Sequence, residues 1–168
     1  MLEILVKLEN FDLIITDFDG VLTDNRVIVS ENGEESVVCS RSDGLAIEIL
    51  RKIGKEILIL STEKNKVVKA RSEKLLVEVV YGAGLSKHNL FRKIVDEKKI
   101  DLLRTVYIGN DLNDFYVMRE CGYKICPSDS HEKIKELADY ITVCKGGEGV
   151  FRDFLEKILK VDVLKLLA

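Results

Sequence analysis

The most constraining feature of this sequence is a short apolar run that ends in two closely spaced aspartates. Residues 13–15 (LII) are typical of a strand buried on both faces of a parallel sheet, and Asp17, Asp19 and Gly20 follow directly. Two carboxylates this close repel each other unless a cation or a shared proton lies between them. A turn with two solvated aspartates is the alternative interpretation. Because ligands bind at the carboxyl edge of open α/β sheets, the pair favours a functional site.

The remainder of the chain alternates predicted strands with predicted helices, as expected for an α/β Rossmann-like doubly wound parallel sheet. We predict one domain over residues 1–168. The predicted strands cover residues 13–18, 57–60, 77–81, 105–108, 124–126 and 140–143. The first predicted helix begins with Asp43 as its cap and ends at Gly54. A second covers residues 64–76, a third begins after Ser86, and two more cover residues 112–122 and 150–159. Residues 146–149 (GGEG) are interpreted as a flexible hinge, and 82–84 as a loop.

A β-hairpin is predicted directly after the first strand. The β-branched residues 27–29 and 37–38 flank Asn32-Gly33, the dipeptide most typical of a tight hairpin turn. Only this hairpin separates the first strand from the first helix, so no cap domain is expected there. Its free edges favour pairing with another subunit, although a hairpin folded back on its own sheet is the alternative.

Composition and charge narrow the function classes. The net charge of −3 gives no sign of a nucleic-acid footprint. No apolar run approaches the roughly 20 residues that span a bilayer, and the start of the chain does not resemble a signal peptide. The four cysteines show neither a CxxC pair nor the spacing of a zinc site. We therefore expect a cytoplasmic protein that binds neither nucleic acid nor membrane.

Further polar residues fall at or just past the ends of later strands. They are Ser61, Lys87, Asn110, Asp111 and Asp114. Each has an ordinary explanation by itself: a common strand-end serine, a solvated lysine, or a helix cap. Together they suit a phosphate group and an oxygen-rich Mg²⁺ site.

Residues 17–23 (DFDGVLT) resemble the first motif of the haloacid dehalogenase superfamily, and the later polar residues follow in the order of its other motifs. The resemblance covers essentially the whole chain. It implies a fold of this superfamily without a cap domain, with a protruding β-hairpin. A response-regulator receiver also uses an acid pair, but it needs an aspartate where this chain has Ser61.

The resemblance also implies roles for these residues. Asp17 would be the nucleophile, Asp19 the general acid and base, and Ser61 and Lys87 catalytic phosphate-binding groups. The cofactor would be Mg²⁺, and its candidate ligands are Asp17, Asp19, Asn110, Asp111 and Asp114. The usual family residue at position 110 is aspartate, so Asn110 departs from the pattern. Either Asn110 binds the ion weakly, or Asp111 substitutes for it, or activity is lost.

Within the superfamily, the chain is most similar to the capless sugar-acid phosphatases, which are typically tetramers. This resemblance rests on the hairpin, the chain length, residues 61–64 (STEK) and residues 146–152 (GGEGVFR). It implies substrate-binding candidates at Gly20, Thr62, Glu63, Arg71, Lys74 and Arg152. The alternative for the charged residues of 63–74 is a solvated helix face.

The expected function is therefore Mg²⁺-dependent hydrolysis of a 2-keto-3-deoxy sugar acid phosphate by a homotetramer. The substrate would be an octulosonate 8-phosphate or a nonulosonate 9-phosphate, and residues 61–64 are closer to the nonulosonate type. Two alternatives remain. One is a phosphatase of the superfamily for another small ester, and the other is a non-catalytic oligomerisation domain that partners a CMP-sugar-acid synthetase.

Overall fold

The computed structural model describes residues 6–63, 66–82 and 84–167. Its strands are β1 (Leu13–Thr16), β2 (Ile28–Val29), β3 (Glu35–Ser36), β4 (Glu56–Ser61), β5 (Glu78–Tyr81), β6 (Thr105–Ile108), β7 (Tyr123–Cys126) and β8 (Tyr140–Ile141). Its α-helices are α1 (Arg41–Lys52), α2 (Lys66–Leu75), α3 (Lys87–Lys98), α4 (Phe115–Glu120), α5 (Glu132–Leu137), α6 (Val150–Asp153) and α7 (Val163–Leu167). A 3₁₀ turn, Leu112–Asp114, precedes α4, and a π-helical segment, Phe154–Ile158, extends α6.

Six strands form one parallel sheet in the order β5-β4-β1-β6-β7-β8, which confirms the predicted doubly wound α/β architecture. β1 lies at the centre, because Thr16 pairs with Ile59 of β4 on one side and with Ile108 of β6 on the other. After β4 and β5, which lie on one side of β1, the chain crosses to the other side and continues with β6. The carboxyl ends of these three strands therefore meet at the switch point of the sheet, where open α/β folds bind ligands.

The two faces of the sheet are covered by separate apolar layers. Ile14 and Ile59 pack with residues of α1, α2 and α6, whereas Ile15 and Leu58 pack with residues of α3, α4 and α5. This alternation follows from the two-residue period of a strand. None of the helices in the described ranges has the length and apolar character that crossing a bilayer requires.

The hairpin of β2 and β3 forms a small separate sheet and protrudes from the fold. Its turn at Gly33 has a positive φ of 80°, as the Asn-Gly signal predicts. The second strand differs from the prediction, since it pairs Glu35 and Ser36 rather than residues 37–38. Both strands are exposed on both faces, so no burial pattern marked their ends in the sequence.

One predicted helix cap is wrong, and one predicted helix forms with a different helical type over most of its length. Asp43 does not cap α1, because Ser40 occupies that position and its hydroxyl accepts a hydrogen bond from the Ser42 N–H. Asp43 lies in the first turn instead, buried, and its Oδ1 accepts a hydrogen bond from the N–H of Phe151 in α6 (2.7 Å). The predicted helix 150–159 is a short α-helix that continues as the π-helical segment. The predicted helix start at Lys64 and Ala83 of the predicted loop lie outside the described residues.

The glycine segment 146–149 is not the free hinge that we predicted. The Gly147 N–H donates to the Val21 carbonyl (3.0 Å), and a Cβ added to Gly146 would lie 2.1 Å from the Gly20 carbonyl oxygen. The absence of side chains at 146 and 147 thus allows the segment to pack directly on the backbone that follows the two aspartates.

Candidate active site

A cavity of about 330 Å³ opens at the carboxyl edge of β1, β4 and β6. Its lining contains three kinds of residue: the strand-end polar groups, the loop after β4, and part of the hairpin. The lining residues are Asp17, Asp19, Asn25, Val27, Glu35, Ser61, Thr62, Glu63, Asn110, Asp111 and Asn113. Most of the residues predicted from the strand ends therefore meet around one space.

Asp17 is anchored by the residue that follows it and by the neighbouring strand. Its N–H donates to the Ile108 carbonyl (2.9 Å), which continues the pairing of β1 with β6. Its Oδ1 accepts from the Phe18 N–H (2.7 Å), and its Oδ2 lies 2.6 Å from the Nζ of Lys87. The carboxylate is thus held in one orientation at the base of the cavity.

Lys87 joins two buried carboxylates. Ser86 caps α3, so Lys87 is the first helical residue, and its Nζ lies 2.6 Å from Asp17 Oδ2 and 2.7 Å from Asp114 Oδ1. Only 1% of its side chain is exposed. Burial disfavours the charged amine, but the negative charges of Asp17 and Asp114 outweigh that cost and raise the pKa of Lys87.

Asp114 accepts four hydrogen bonds and is fully buried. Its Oδ1 receives Lys87 Nζ and the hydroxyl of Tyr107, both at 2.7 Å. Its Oδ2 receives the N–H groups of Asn110 (2.9 Å) and Asp111 (3.3 Å). These contacts tie the loop after β6 to the lysine, and they occupy both oxygens of a residue that the sequence offered as a metal ligand.

The buried triad of Asp17, Lys87 and Asp114 carries one positive and two negative charges when all are ionised. Burial raises the pKa of Asp17 to about 7, and the charge of Asp114 adds to the effect. The short contact with Lys87 acts in the opposite direction, but the lysine is shared between two carboxylates. A further positive charge beside Asp17 would therefore be electrostatically favourable.

Asn110 offers an unused oxygen at the same place. The residue is only 7% exposed, and its Oδ1 is buried without a hydrogen-bond donor. Its amide packs over Gly20, where an added Cβ would lie 2.0 Å from Nδ2. Since a buried carbonyl oxygen without a partner is costly, this atom is suited to a cation.

A divalent cation fits this arrangement only through a mixed set of oxygens. Among the described residues, no three His, Cys, Asp or Glu side chains are grouped as a metal site. The Asp17 carboxylate and the Asn110 amide oxygen, together with backbone carbonyls of the loop after β1, remain as ligands. Such oxygen ligands suit Mg²⁺.

Asp19 lies in the turn after β1 and is half-buried. The Thr23 hydroxyl lies 3.5 Å from its Oδ1 and also accepts from the Gly20 N–H (3.2 Å). Burial raises the pKa of Asp19, and the negative charges of Glu63 and Glu35 raise it further. The carboxyl group is therefore biased toward the protonated form that a general acid requires.

The loop after β4 lies beside the two aspartates. Ser61 is almost fully buried, and its Oγ accepts from the Glu63 N–H (3.1 Å), so the loop turns at the cavity wall. Thr62 and Glu63 both line the cavity. Lys64, the last residue of the STEK segment, lies outside the described residues.

Three predicted substrate-binding residues lie elsewhere in this chain. Arg71 and Lys74 line a different and larger cavity, of about 730 Å³, between α1 and α2, together with Arg41. Arg152 lies on α6 and forms an ion pair with Glu156 (2.9 Å). None of the three is among the residues that line the Asp17 cavity.

Sequence reasoning missed four lining residues and one supporting residue. Glu35 comes from the hairpin strand β3, which we considered only as an assembly element. Asn25 and Val27 come from the segment that leads into β2, and Asn113 comes from the turn after β6. No sequence pattern identified Tyr107 as a supporting residue, because it looks like an ordinary residue of the apolar strand β6. The position of the hairpin directly after the acid pair was the one available sign for Glu35.

Comparisons with known proteins identify the family of the chain and agree with its fold. The model of the haloacid dehalogenase-like hydrolase family matches residues 40–153. The 3-deoxy-D-manno-octulosonate 8-phosphate phosphatase KdsC of Escherichia coli strain K12 is 31% identical over 94% of this chain and 84% of its own length.

Solved structures give the same result. A structure described as a HAD family hydrolase, from Streptomyces avermitilis, has a TM-score of 0.90 and 36% identity, covering 97% of this chain and 93% of that one. The 3-deoxy-D-manno-octulosonate 8-phosphate phosphatase of Moraxella catarrhalis, solved with magnesium, phosphate and KDO, has a TM-score of 0.84 and 29% identity, covering 91% and 88%. The chain therefore belongs to the haloacid dehalogenase-like hydrolases, in the phosphatase group that contains the octulosonate 8-phosphate enzymes.

Proposed function

We propose that this protein is a divalent-metal-dependent phosphatase that hydrolyses the phosphate monoester of a 2-keto-3-deoxy sugar acid. The observation that carries the proposal is the grouping of the Asp17–Lys87 pair with the unpartnered Asn110 oxygen at one cavity. The relatives named as octulosonate 8-phosphate phosphatases favour that substrate, while Glu63 in the STEK segment keeps nonulosonate 9-phosphate in the set to be tested.

The chain's own residues supply the chemistry in this proposal. An Asp17 oxygen attacks phosphorus, the bond to the sugar oxygen breaks, and Asp19 gives its proton to the leaving alkoxide. Water then attacks the aspartyl-phosphate, Asp19 takes the proton from that water, and phosphate and free Asp17 are regenerated. Lys87 keeps Asp17 ionised and oriented, and Ser61 donates to a phosphate oxygen.

A bound Mg²⁺ would neutralise charge on the phosphoryl group and on Asp17, which otherwise repel each other. We assign it to the Asp17 carboxylate, the Asp19 carbonyl and the Asn110 side-chain oxygen. We leave Asp114 out, because its oxygens already accept four hydrogen bonds. We also leave out Asp111, whose exposed carboxylate accepts the Leu112 N–H (2.7 Å).

We propose further that the working unit is a homotetramer. The hairpin exposes apolar side chains on both faces, with Ile28 at 65% and Val29 at 63% exposure, and an isolated hairpin is marginally stable. Arg71 and Lys74 lie outside the Asp17 cavity of their own chain, and we propose that they contact the substrate of a neighbouring copy. Light scattering of the wild type and of Val29→Lys tests this assembly, and a monomeric wild type would contradict it.

The deciding experiment measures phosphate release from octulosonate 8-phosphate, nonulosonate 9-phosphate and unrelated small esters, with Mg²⁺ and with EDTA. We expect a sugar acid phosphate to give the highest kcat/KM, and we expect turnover to be lost in EDTA and in Asp17→Asn. A preference for an unrelated ester would favour a different phosphatase of the superfamily. No turnover of any ester would favour the non-catalytic domain.

A further inference from the structure

Gly20, in the turn after β1, is in close contact with two segments that are distant in the sequence. A Cβ added to Gly20 would lie 2.0 Å from Asn110 Nδ2, and a Cβ added to Gly146 would lie 2.1 Å from the Gly20 carbonyl oxygen. Gly20 also has a positive φ of 82°. Neither glycine position has room for a side chain, so the three residues fix one another's places.

The turn and Asn110 carry oxygens that we assign to the metal ion. The Asp19 carbonyl belongs to the same planar peptide as the Gly20 N–H, which donates to the Thr23 hydroxyl oxygen (3.2 Å). The Asn110 side-chain oxygen is buried without a donor. A shift of Gly20 would therefore displace the Asp19 carbonyl and the surface on which the Asn110 amide packs.

The segment that contains Gly146 is held in place by hydrogen bonds to two other loops. The Gly146 N–H donates to Asp129 Oδ1 (2.9 Å), and the Gly147 N–H donates to the Val21 carbonyl (3.0 Å). Gly146 is buried, whereas Asp129 is exposed. The buried glycine is thus kept against the turn after β1 by an acceptor at the protein surface.

The loop that carries Asp129 also holds Asn110. This loop, residues 127–131, follows β7, and the His131 N–H donates to the Asn110 carbonyl (2.9 Å). One loop therefore contacts both segments that pack on the turn after β1. It reaches Asn110 through a backbone hydrogen bond and Gly146 through the Asp129 side chain.

We propose that Gly146 and Asp129 are positioning residues for the metal site, because they hold the turn after β1 where the Asp19 carbonyl and the Asn110 oxygen bind one ion. This inference rests on the metal dependence in the proposed function. Neither positioning residue is among the described residues that line the Asp17 cavity. Residues that orient metal ligands from behind typically change metal affinity 10- to 100-fold when they are replaced.

Two matched substitutions separate positioning from packing. Gly146→Ala places a Cβ 2.1 Å from the Gly20 carbonyl oxygen. Gly122→Ala places one 2.2 Å from the Leu103 carbonyl oxygen, next to the first residues of β7 and β6 and thus at the opposite edge of the sheet from the Asp17 cavity. Neither Gly146 nor Gly122 has a positive φ, so each variant meets a steric clash without a backbone penalty.

The readout is Mn²⁺ binding in the absence of substrate, measured by calorimetry, together with the Mg²⁺ concentration that gives half-maximal phosphate release. We expect Gly146→Ala to weaken Mn²⁺ binding at least about tenfold and to raise the half-maximal Mg²⁺ concentration in parallel. Gly122→Ala is expected to leave both unchanged, although urea denaturation should show a loss of stability in both variants.

Asp129 provides a second test that involves no clash. Asp129→Ala removes the acceptor of the Gly146 N–H at an exposed position, and we expect it to weaken Mn²⁺ binding by about threefold or more. Asp129→Asn keeps an acceptor oxygen there and is expected to stay within about twofold of the wild type. If Gly146→Ala does not fold, these two variants decide the proposal.

Wild-type Mn²⁺ affinity in Gly146→Ala or in Asp129→Ala overturns the positioning roles and leaves the phosphatase function intact. An equal loss of affinity in Gly122→Ala also overturns them, because it would be a general effect of lost stability. Absence of phosphate release from every ester overturns the phosphatase function, and the calorimetric comparison then decides the positioning roles separately. A wild type that binds no Mn²⁺ overturns both.

Discussion

The Nζ of Lys87 lies 2.6 Å from Oδ2 of Asp17, and neither side chain is more than 9% exposed. The lysine also contacts Asp114, so a single amine compensates two carboxylates in the interior. Removing one member of such a group leaves an uncompensated buried charge, which costs far more than the loss of a surface ion pair. This relationship gives Lys87 a structural role in addition to the catalytic role that we propose for it.

Lys87→Met is expected to reduce kcat at least about 100-fold, because the charge beside the nucleophile is lost. It is also expected to lower the free energy of unfolding by about 3–5 kcal/mol. Urea denaturation and steady-state kinetics measure the two effects. Lys98→Met, on the same helix but paired with Glu78 at the surface, is the control and is expected to lower the free energy of unfolding far less, because water screens an exposed ion pair.

The double variant Lys87→Met/Asp114→Asn separates the two roles of the lysine. It removes one buried negative charge, so we expect part of the lost unfolding free energy to return while kcat stays low. Recovery of activity in the double variant would contradict a catalytic role for Lys87.

Tyr107→Phe tests the support of Asp114. The substitution removes the hydroxyl that donates to Asp114 Oδ1 (2.7 Å) and leaves the ring packed in the core. We expect the free energy of unfolding to fall by about 1–2 kcal/mol, the usual cost of losing a buried donor. Tyr116→Phe, at a tyrosine that is 60% exposed, is expected to change it by less than about 0.5 kcal/mol. Equal effects in the two variants would argue against the hydrogen bond.

The buried carboxyl group of Asp43 makes the free energy of unfolding depend on pH. Burial raises the pKa of Asp43 to about 6, above its value of about 4 in an unfolded chain. The folded protein therefore binds this proton more tightly, so the contribution of Asp43 to the unfolding free energy is fully present below about pH 4 and is lost as the pH rises through about 6.

Asp43→Asn cannot ionise, so the loss is absent in the variant. We expect the unfolding free energy of Asp43→Asn, relative to the wild type, to increase between pH 4 and pH 7, as measured by urea denaturation. Asp96→Asn changes an exposed carboxylate and serves as the control. A difference between Asp43→Asn and wild type that does not vary with pH would refute the raised pKa.

If Asn110 binds the metal ion, Asn110→Asp has opposite effects on the protein without Mg²⁺ and on the protein with Mg²⁺. Asn110→Asp adds a charge beside Asp17, so the protein in EDTA becomes less stable, while half-maximal activity is reached at an Mg²⁺ concentration lower by at least about threefold. Asn113→Asp adds the same charge at another lining residue and is the control. An unchanged or weaker Mg²⁺ requirement in Asn110→Asp would remove Asn110 from the ligand set.

The sequence predicted the sheet and most of the cavity for one physical reason: the carboxyl ends of parallel strands share an edge. Asp17, Ser61 and Asn110 each follow a buried apolar run, so their meeting at that edge could be inferred from chain order alone. Their chemical roles remain predictions.

Other features depend on contacts between distant segments, which a local pattern does not record. Asp43 resembled a helix cap, but its partner is Phe151 in a helix more than one hundred residues later. Residues 146–149 resembled a hinge because a glycine needed for close packing and a glycine needed for freedom look the same in sequence. Glu35 lies on an exposed hairpin whose register no buried face determines.

The most direct test of the central claim is a crystal structure of the protein soaked with Mn²⁺, in which anomalous scattering locates the ion. We expect an ion bound by the Asp17 carboxylate and the Asn110 side-chain oxygen, with Lys87 still in contact with Asp17. An ion bound elsewhere, or an Asp17 carboxylate without one at saturating Mn²⁺, would contradict it.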